Sequence, residues 1–208
     1  MNAKTERKER SHESIIEAAS RLLQRKGISG AGVAEVMHDA GLTVGGFYGH
    51  FTSKSVLVDT AIRRAGKEMR ERLFARIEEK PEADRSEVVL NRYLSAAHRD
   101  KGTLGCALPA IVSDIATTAP EHGNALGEQI DAFATELSTH VRTAAAELSP
   151  RVLALGLIAL MHGGLSLSRA LKSRDLSDDV LRAARLLGAG ALRDARRSDG
   201  VGANPEAR

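Results

Sequence analysis

Residues 32–51 read GVAEVMHDAGLTVGGFYGHF, and this stretch decides the fold. Val33, Val36 and Met37 recur at helical spacing over a first short segment, which Gly41 stops. Thr43 then stands where an N-cap residue belongs, ahead of a second short segment that carries Phe47 and Phe51. Two short helices meeting at a glycine corner form a helix-turn-helix, because the corner needs a residue free of the Cβ penalty. The second segment is too short and too poor in apolar residues to fill a core. That is the profile of a recognition helix held by its neighbours and offered to a DNA major groove.

Upstream, Ile15, Ile16, Ala19, Leu22 and Leu23 fall on one face of a helix starting near His12. Gly27 ends it after Arg25 and Lys26. Residues 1–10 are polar and read as a mobile arm. Its Lys4, Arg7, Lys8 and Arg10, set against Glu6 and Glu9, suit a solubilising tail or an arm laid along phosphates or into a minor groove. Downstream, Ser53 caps a long helix with Val56, Leu57, Ala61, Met69 and Leu73 on its buried stripe, ending by Pro81. Further helices are expected at 84–99, 106–117, 121–148, 150–172 and 177–195, with breaks at Lys101-Gly102, Pro120 and Ser149-Pro150. No stretch alternates long enough to argue for a sheet, and no repeat is present. The expected fold class is all-α, with about nine helices.

The bulk properties narrow the function. A chain of 208 residues has room for one or two compact domains. Aromatics make up 3% and Trp is absent, while Ala and Leu favour helix. The formal charge is +3, which permits nucleic acid as a partner without demanding it. The excess lies at the front: residues 1–67 carry eleven Lys/Arg against seven Asp/Glu. One cysteine, Cys106, allows no intrachain disulfide and fits a reducing cytoplasm. The start MNAKTERKER lacks the apolar run of a secretory signal. The longest apolar run, Val152–Met161, has ten residues against the roughly 20 of a membrane span. No membrane partner is therefore expected, and the cytoplasm is the expected location. No P-loop, GxSxG or HExxH occurs, and the seven histidines lack metal-ligand spacing. No catalytic residue, metal or cofactor is expected. An all-helical enzyme and a protein-binding adaptor remain as distant alternatives.

The run GLTVGGFYGHFTSKSVLVDTAI, residues 41–62, resembles the tetracycline-repressor (TetR/AcrR) family pattern of Gly, hydrophobic, Ser/Thr, any, Gly/Pro, small, Phe/Leu, Tyr, any, His, Phe, two polar, Lys. IIEAASRLLQRKG upstream is similar to that family's first helix, and the likeness covers about residues 10–65. It implies a DNA-binding domain at 9–69, with the helix-turn-helix at 32–51. A helical ligand-binding and dimerisation domain would follow at 70–196, with flexible tails at 1–8 and 197–208. It implies that Tyr48 gives its hydroxyl to a phosphate and Lys54 meets a second one. Ser53 would cap the helix behind them, whose amides also favour anions. Thr43 would cap the recognition helix and touch the backbone, His50 would lie near it, and Phe47 and Phe51 would lock the helix in place. The chain departs from the pattern at Val44, Gly45, Gly46 and Gly49, which leave few polar groups for base edges. Specificity then falls to close backbone approach at Gly45 and Gly46, thymine-methyl contact from Val44, and DNA shape. The glycines each cost about 1 kcal/mol of helix propensity, so this helix is expected to be soft without DNA. Gly32 replaces the polar cap expected before the first short helix.

The resemblance further implies a repressor released from a palindromic operator by a small-molecule inducer. The effector would bind among helices between about 66 and 168. Candidate lining residues are Phe74, Tyr93, Cys106, Phe133, Met161 and His162. VLALGLIALMHGGLSLSRAL and the following Val180, Leu181, Ala184, Leu187 and Leu192, with glycines and serines interspersed, would pair two subunits into a homodimer. Cys106 follows Gly105 at an expected helix N-terminus, where the dipole lowers a thiol pKa. It offers an alternative, a thiol-based redox or electrophile sensor, beside the plain reading of a buried small residue.

Overall fold

The computed structural model describes residues 3–100, 108–143 and 148–197. Among them are nine α-helices, four short 3-10 turns and no strand. Helix α1 (Ala3–Lys26) starts well before His12, so residues 3–8, expected as a flexible tail, are helical. Lys, Arg, Glu and Ala are good helix formers, and no Gly or Pro interrupts them. Polarity there signalled exposure, not irregular backbone. Gly27 and Gly41 both take φ +69°, the left-handed turn that ends α1 and the helix α2 (Val33–Asp39).

Helix α3 (Lys54–Phe74) opens with the Ser53 hydroxyl accepting from the Val56 amide at 3.2 Å. Its buried stripe is Leu57, Val58, Ala61, Ile62, Ala65, Met69 and Leu73. Val56, expected inward, is exposed, because the stripe is centred one step further round the helix on Val58. The helix expected at 84–99 is two, α4 (Arg85–Tyr93) and α5 (Ala96–Asp100). Ser95 divides them by accepting from the His98 amide at 3.0 Å, while its hydroxyl donates to the Arg92 carbonyl at 2.9 Å. Helix α6 (Leu108–Thr117) is followed by a 3-10 turn and α7 (Gly123–Ser138). Helix α7 ends ten residues before the expected 148, because Ser138 and Thr139 turn their hydroxyls back to the carbonyls of Thr135 and Glu136. Helices α8 (Pro150–Ala170) and α9 (Arg174–Arg197) complete the described chain.

The chain forms two compact units. The first holds the described residues up to Arg72 together with 108–130. The α6 segment thus groups with the N-terminal helices rather than with the chain that follows Arg72. Ile111 and Ile115 of α6 enter the core built from Ile15, Leu22, Leu23, Val36, Met37, Phe47, Phe51 and Leu57. Polar ties reinforce this packing. The Asp114 carboxylate accepts from the Ile28 amide at 2.6 Å and the Ser29 amide at 3.4 Å. Nδ1 of buried His122 lies 2.7 Å from Asp59, and Arg63 holds Glu128 through two nitrogens at 2.6 and 3.1 Å. Gly27 sits against Asp114 so closely that a Cβ there would overlap the carboxylate. Replacing Asp114 by Ala leaves the buried Ile28 amide unpaired, and we expect a loss of about 1–3 kcal/mol in thermal unfolding. An unchanged midpoint would contradict that role.

The second unit holds described residues 73–100 and 131–197. The rings of Phe74 and Tyr93 pack on Phe133, with centroids 6.0 and 6.5 Å away. Arg99 is buried and donates to Ser177 at 2.8 Å, Asp178 at 2.5 Å and Asp100 at 2.8 Å. Helix α8 turns Leu153, Leu157, Ile158, Met161 and Leu165 inward, with Gly164 against Ala184 of α9. Its outer face is different: Val152, Leu155 and Leu167 are exposed, as are Leu176, Leu186 and Leu187 of α9.

Candidate nucleic-acid interface

The expected recognition helix is a 3-10 turn, Val44–Gly49, not an α-helix. Three glycines in six residues remove the side-chain contacts and backbone restriction that stabilise a regular helix. The turn is closed by amides donating to carbonyls, Gly46 to Thr43 at 3.0 Å and Phe51 to Phe47 at 3.0 Å. Thr43 stands at the N-cap position with extended backbone, but its hydroxyl makes no cap bond, which corrects the capping role expected of it. Gly32 likewise supplies no side-chain cap to α2.

Neighbouring side chains of the turn go opposite ways. Phe47 is 1% exposed and stacks on buried Phe51 with centroids 5.9 Å apart. Tyr48 is 78% exposed and touches Phe47 only edge-on, with centroids 5.2 Å apart. Thr43, Val44, Gly45, Gly46 and Gly49 are exposed beside it, and Lys54 is exposed in the first turn of α3. No Asp or Glu occurs between Asp39 and Asp59. The outward face of the turn therefore combines a phenol, a threonine and bare backbone, with a cation and a helix N-terminus one step along the chain. It can donate hydrogen bonds to anions and admit a close surface.

His50 is half-buried at the end of the turn. Burial pushes its pKa below the ordinary histidine value, with further lowering from His12 and Lys8. Its Nδ1 finds no hydrogen-bond partner among the described residues. His12 was not singled out by sequence, yet its ring lies flat on Phe51, 4.5 Å away at 14°. The signal was available: His12 continues the buried row of Ile15, Ile16 and Ala19 one turn back. Asp114 had no such signal, because 86 residues separate it from the amide it holds.

Of the expected effector residues, Phe74, Tyr93, Phe133 and Met161 are buried in the second unit, and the first three form one ring cluster. His162 follows Met161 in α8 and is half-buried; burial lowers its pKa. Nδ1 of His162 and Oγ of Ser166, one turn apart, are buried without partners among the described residues. Cys106 lies outside the described residues, and so does the expected tail from Ser198. No group of three His, Cys, Asp or Glu side chains suited to a metal occurs among the described residues.

Residues 15–61 match the family model described as bacterial regulatory proteins, tetR family. Curated proteins give no match. Among solved structures, the fold is similar to that of a TetR transcriptional regulator from Chloroflexus aurantiacus, at 25% identity and TM-score 0.75 over 90% of this chain and 96% of that one. It is also similar to a TetR-family regulator from Cytophaga hutchinsonii, at 23% identity and TM-score 0.72 over 88% and 96%. A third is a TetR-family regulator from Streptomyces coelicolor, at 21% identity and TM-score 0.70 over 94% and 96%. The matched segment holds α1 from Ile15, α2, the exposed turn and the start of α3, so this part of the chain is similar to bacterial regulatory proteins of the tetR family, and the fold is similar to that of solved TetR-family regulators over most of the chain.

Proposed function

We propose that the protein is a homodimeric, ligand-responsive repressor that leaves a palindromic operator when a small effector binds. The observation that carries this reading is the Val44–Gly49 turn, which is locked from behind by Phe47 and Phe51 and presents Thr43, Val44, Gly45, Gly46 and Tyr48 outward. In a major groove, Tyr48 and Lys54 give hydrogen bonds to phosphates and His50 lies near the backbone. Gly45 and Gly46 let the main chain close on the base edges, and Val44 meets thymine methyls. With so few polar side chains on the turn, shape readout carries much of the specificity.

Helix α8 is long and apolar enough, by length and composition, to cross a membrane, and 44% of its apolar window is buried inside the protein. Its outer face, with the exposed leucines of α9, fits a second copy instead. Gly156, Gly163 and Gly190 have open space around them, which allows close helix approach. A two-fold operator also needs a two-fold protein. The effector is proposed to bind in the cytoplasm against Phe74, Tyr93 and Phe133, with Met161 and His162 as further lining. By linkage, operator DNA must weaken effector binding by the factor that effector weakens DNA, typically about 1–3 kcal/mol.

Lys54→Ala tests the interface. Binding to specific and mixed-sequence duplexes should weaken alike, and the slope of log K against log salt should fall by roughly 0.9 per subunit. A change in sequence preference with an unchanged slope would show that Lys54 reads bases instead.

A further inference from the structure

Along helix α8, Arg151, Leu155, Ile158, His162, Ser166 and Arg169 follow one another at steps of three and four residues, so they share one flank. The opposite flank is occupied: Gly164 packs on Leu94 and Ala184, and Leu160 meets Gly188. Both ends of the first flank are tied down within the same unit. Arg151 donates to Asp131 of α7. Arg169 donates to the carbonyls of His98 and Arg99 at 3.1 and 3.3 Å. The His98 ring in turn stands edge-on to Tyr93, 4.9 Å away, so the flank ends beside the Phe74–Tyr93–Phe133 rings.

Between the two arginines stand two polar atoms without partners. Nδ1 of His162 and Oγ of Ser166 are buried and make no hydrogen bond among the described residues. An unpaired buried polar group costs about 1–3 kcal/mol, and native proteins keep few of them. Ser168 shows that the helix offers a way out, since its hydroxyl donates to the Leu165 carbonyl at 2.9 Å. Ser166 does not take it. Both atoms are closed off from solvent in the single chain, so neither water nor a second copy laid on the outer face of α8 reaches them. A partner has to enter from inside the unit, between α8 and the rings. Burial holds the His162 pKa below the ordinary histidine value, so the imidazole is uncharged at neutral pH. The cations of the flank, Arg151 and Arg169, already hold partners. The pair therefore offers hydrogen bonds without charge, which suits a neutral oxygen and penalises a carboxylate.

We propose that His162 and Ser166 are the polar anchor of the effector site, and that the effector is an uncharged, mainly apolar molecule presenting a hydroxyl group to them. One hydroxyl oxygen accepts from Ser166 and donates to Nδ1 of His162, two groups one helical turn apart. The rings of Phe74, Tyr93 and Phe133 take the apolar body. The inference rests on the effector-responsive reading above and names the chemistry of that site.

The test uses three probes that share a ring and a methyl group: toluene, p-cresol and p-toluate. Each is titrated into the full-length protein at neutral pH, and binding is read from the shift in thermal unfolding. p-Cresol should bind about tenfold tighter than toluene, and p-toluate more weakly than either. Ser166→Ala and His162→Phe should bind p-cresol and toluene alike. Without probe, both variants should melt no lower than wild type, because each removes an orphaned polar atom. Equal binding of p-cresol and toluene by wild type overturns the anchor and leaves the effector reading standing. Tightest binding of p-toluate overturns the uncharged class, and with it the proposal. Variants that melt lower yet keep the preference for p-cresol would make the pair structural and overturn it as well. Binding of none of the three would remove the ring cluster as an effector site together with its anchor.

Discussion

Replacing Leu186 and Leu187 by glutamate should leave a folded monomer that has lost most of its affinity for a palindromic site. Both side chains are about two-thirds exposed in the single chain, at 64% and 66%, so the change breaks no internal packing. Four carboxylates brought into a two-fold interface would have to be desolvated beside like charges, which costs more than apolar contacts of this size return. Once the subunits separate, each half-site is bound alone, and the gain from joining two sites, roughly 10²–10⁴-fold, disappears. Sedimentation velocity and operator titration check both parts. Circular dichroism should stay helical. A dimer that persists with unchanged operator affinity would place the pairing surface elsewhere.

Phe47→Ala is the second large effect. Phe47 is buried, stacks on Phe51 and backs the exposed Tyr48, and the turn around it is mostly glycine. Truncation at such a site typically costs about 3–5 kcal/mol. That is a large share of the roughly 5–15 kcal/mol by which a domain is stable. The glycine-rich turn has little helix propensity of its own, so the loss should fall first on the turn proposed to read DNA. Phe47→Leu keeps most of the volume and should cost only about 1–1.5 kcal/mol, retaining DNA binding. Thermal unfolding and anisotropy distinguish them. Wild-type stability and affinity in Phe47→Ala would mean that the turn is held by something other than this ring.

The first unit was legible where its signals are local. The glycines at 27 and 41, the cap at Ser53 and the stripe from Ile15 to Leu23 each follow from a few neighbouring residues, and each stands where the spacing puts it. The recognition segment was legible as an element but not as a 3-10 turn, because the balance between helical forms over six residues depends on how Phe47 and Phe51 seat against the core. The grouping of α6 with the N-terminal helices was hidden. It rests on Ile111, Ile115 and Asp114, whose partners lie far back in the chain. Ser95 and Ser138–Thr139 show a further limit: hydroxyl groups ended helices where apolar periodicity alone ran on. In the second unit the aromatic candidates Phe74, Tyr93 and Phe133 do come together, since bulky rings in a chain with few aromatics collect in its core.

The most direct measurement is selection and sequencing of DNA fragments bound by the purified full-length protein. A dimer presenting two Val44–Gly49 turns should enrich inverted half-sites whose centres lie one helical turn, about 34–36 Å, or a multiple of it apart. Recovered fragments indistinguishable from the starting pool, or enriched for a motif without two-fold symmetry, would contradict the account.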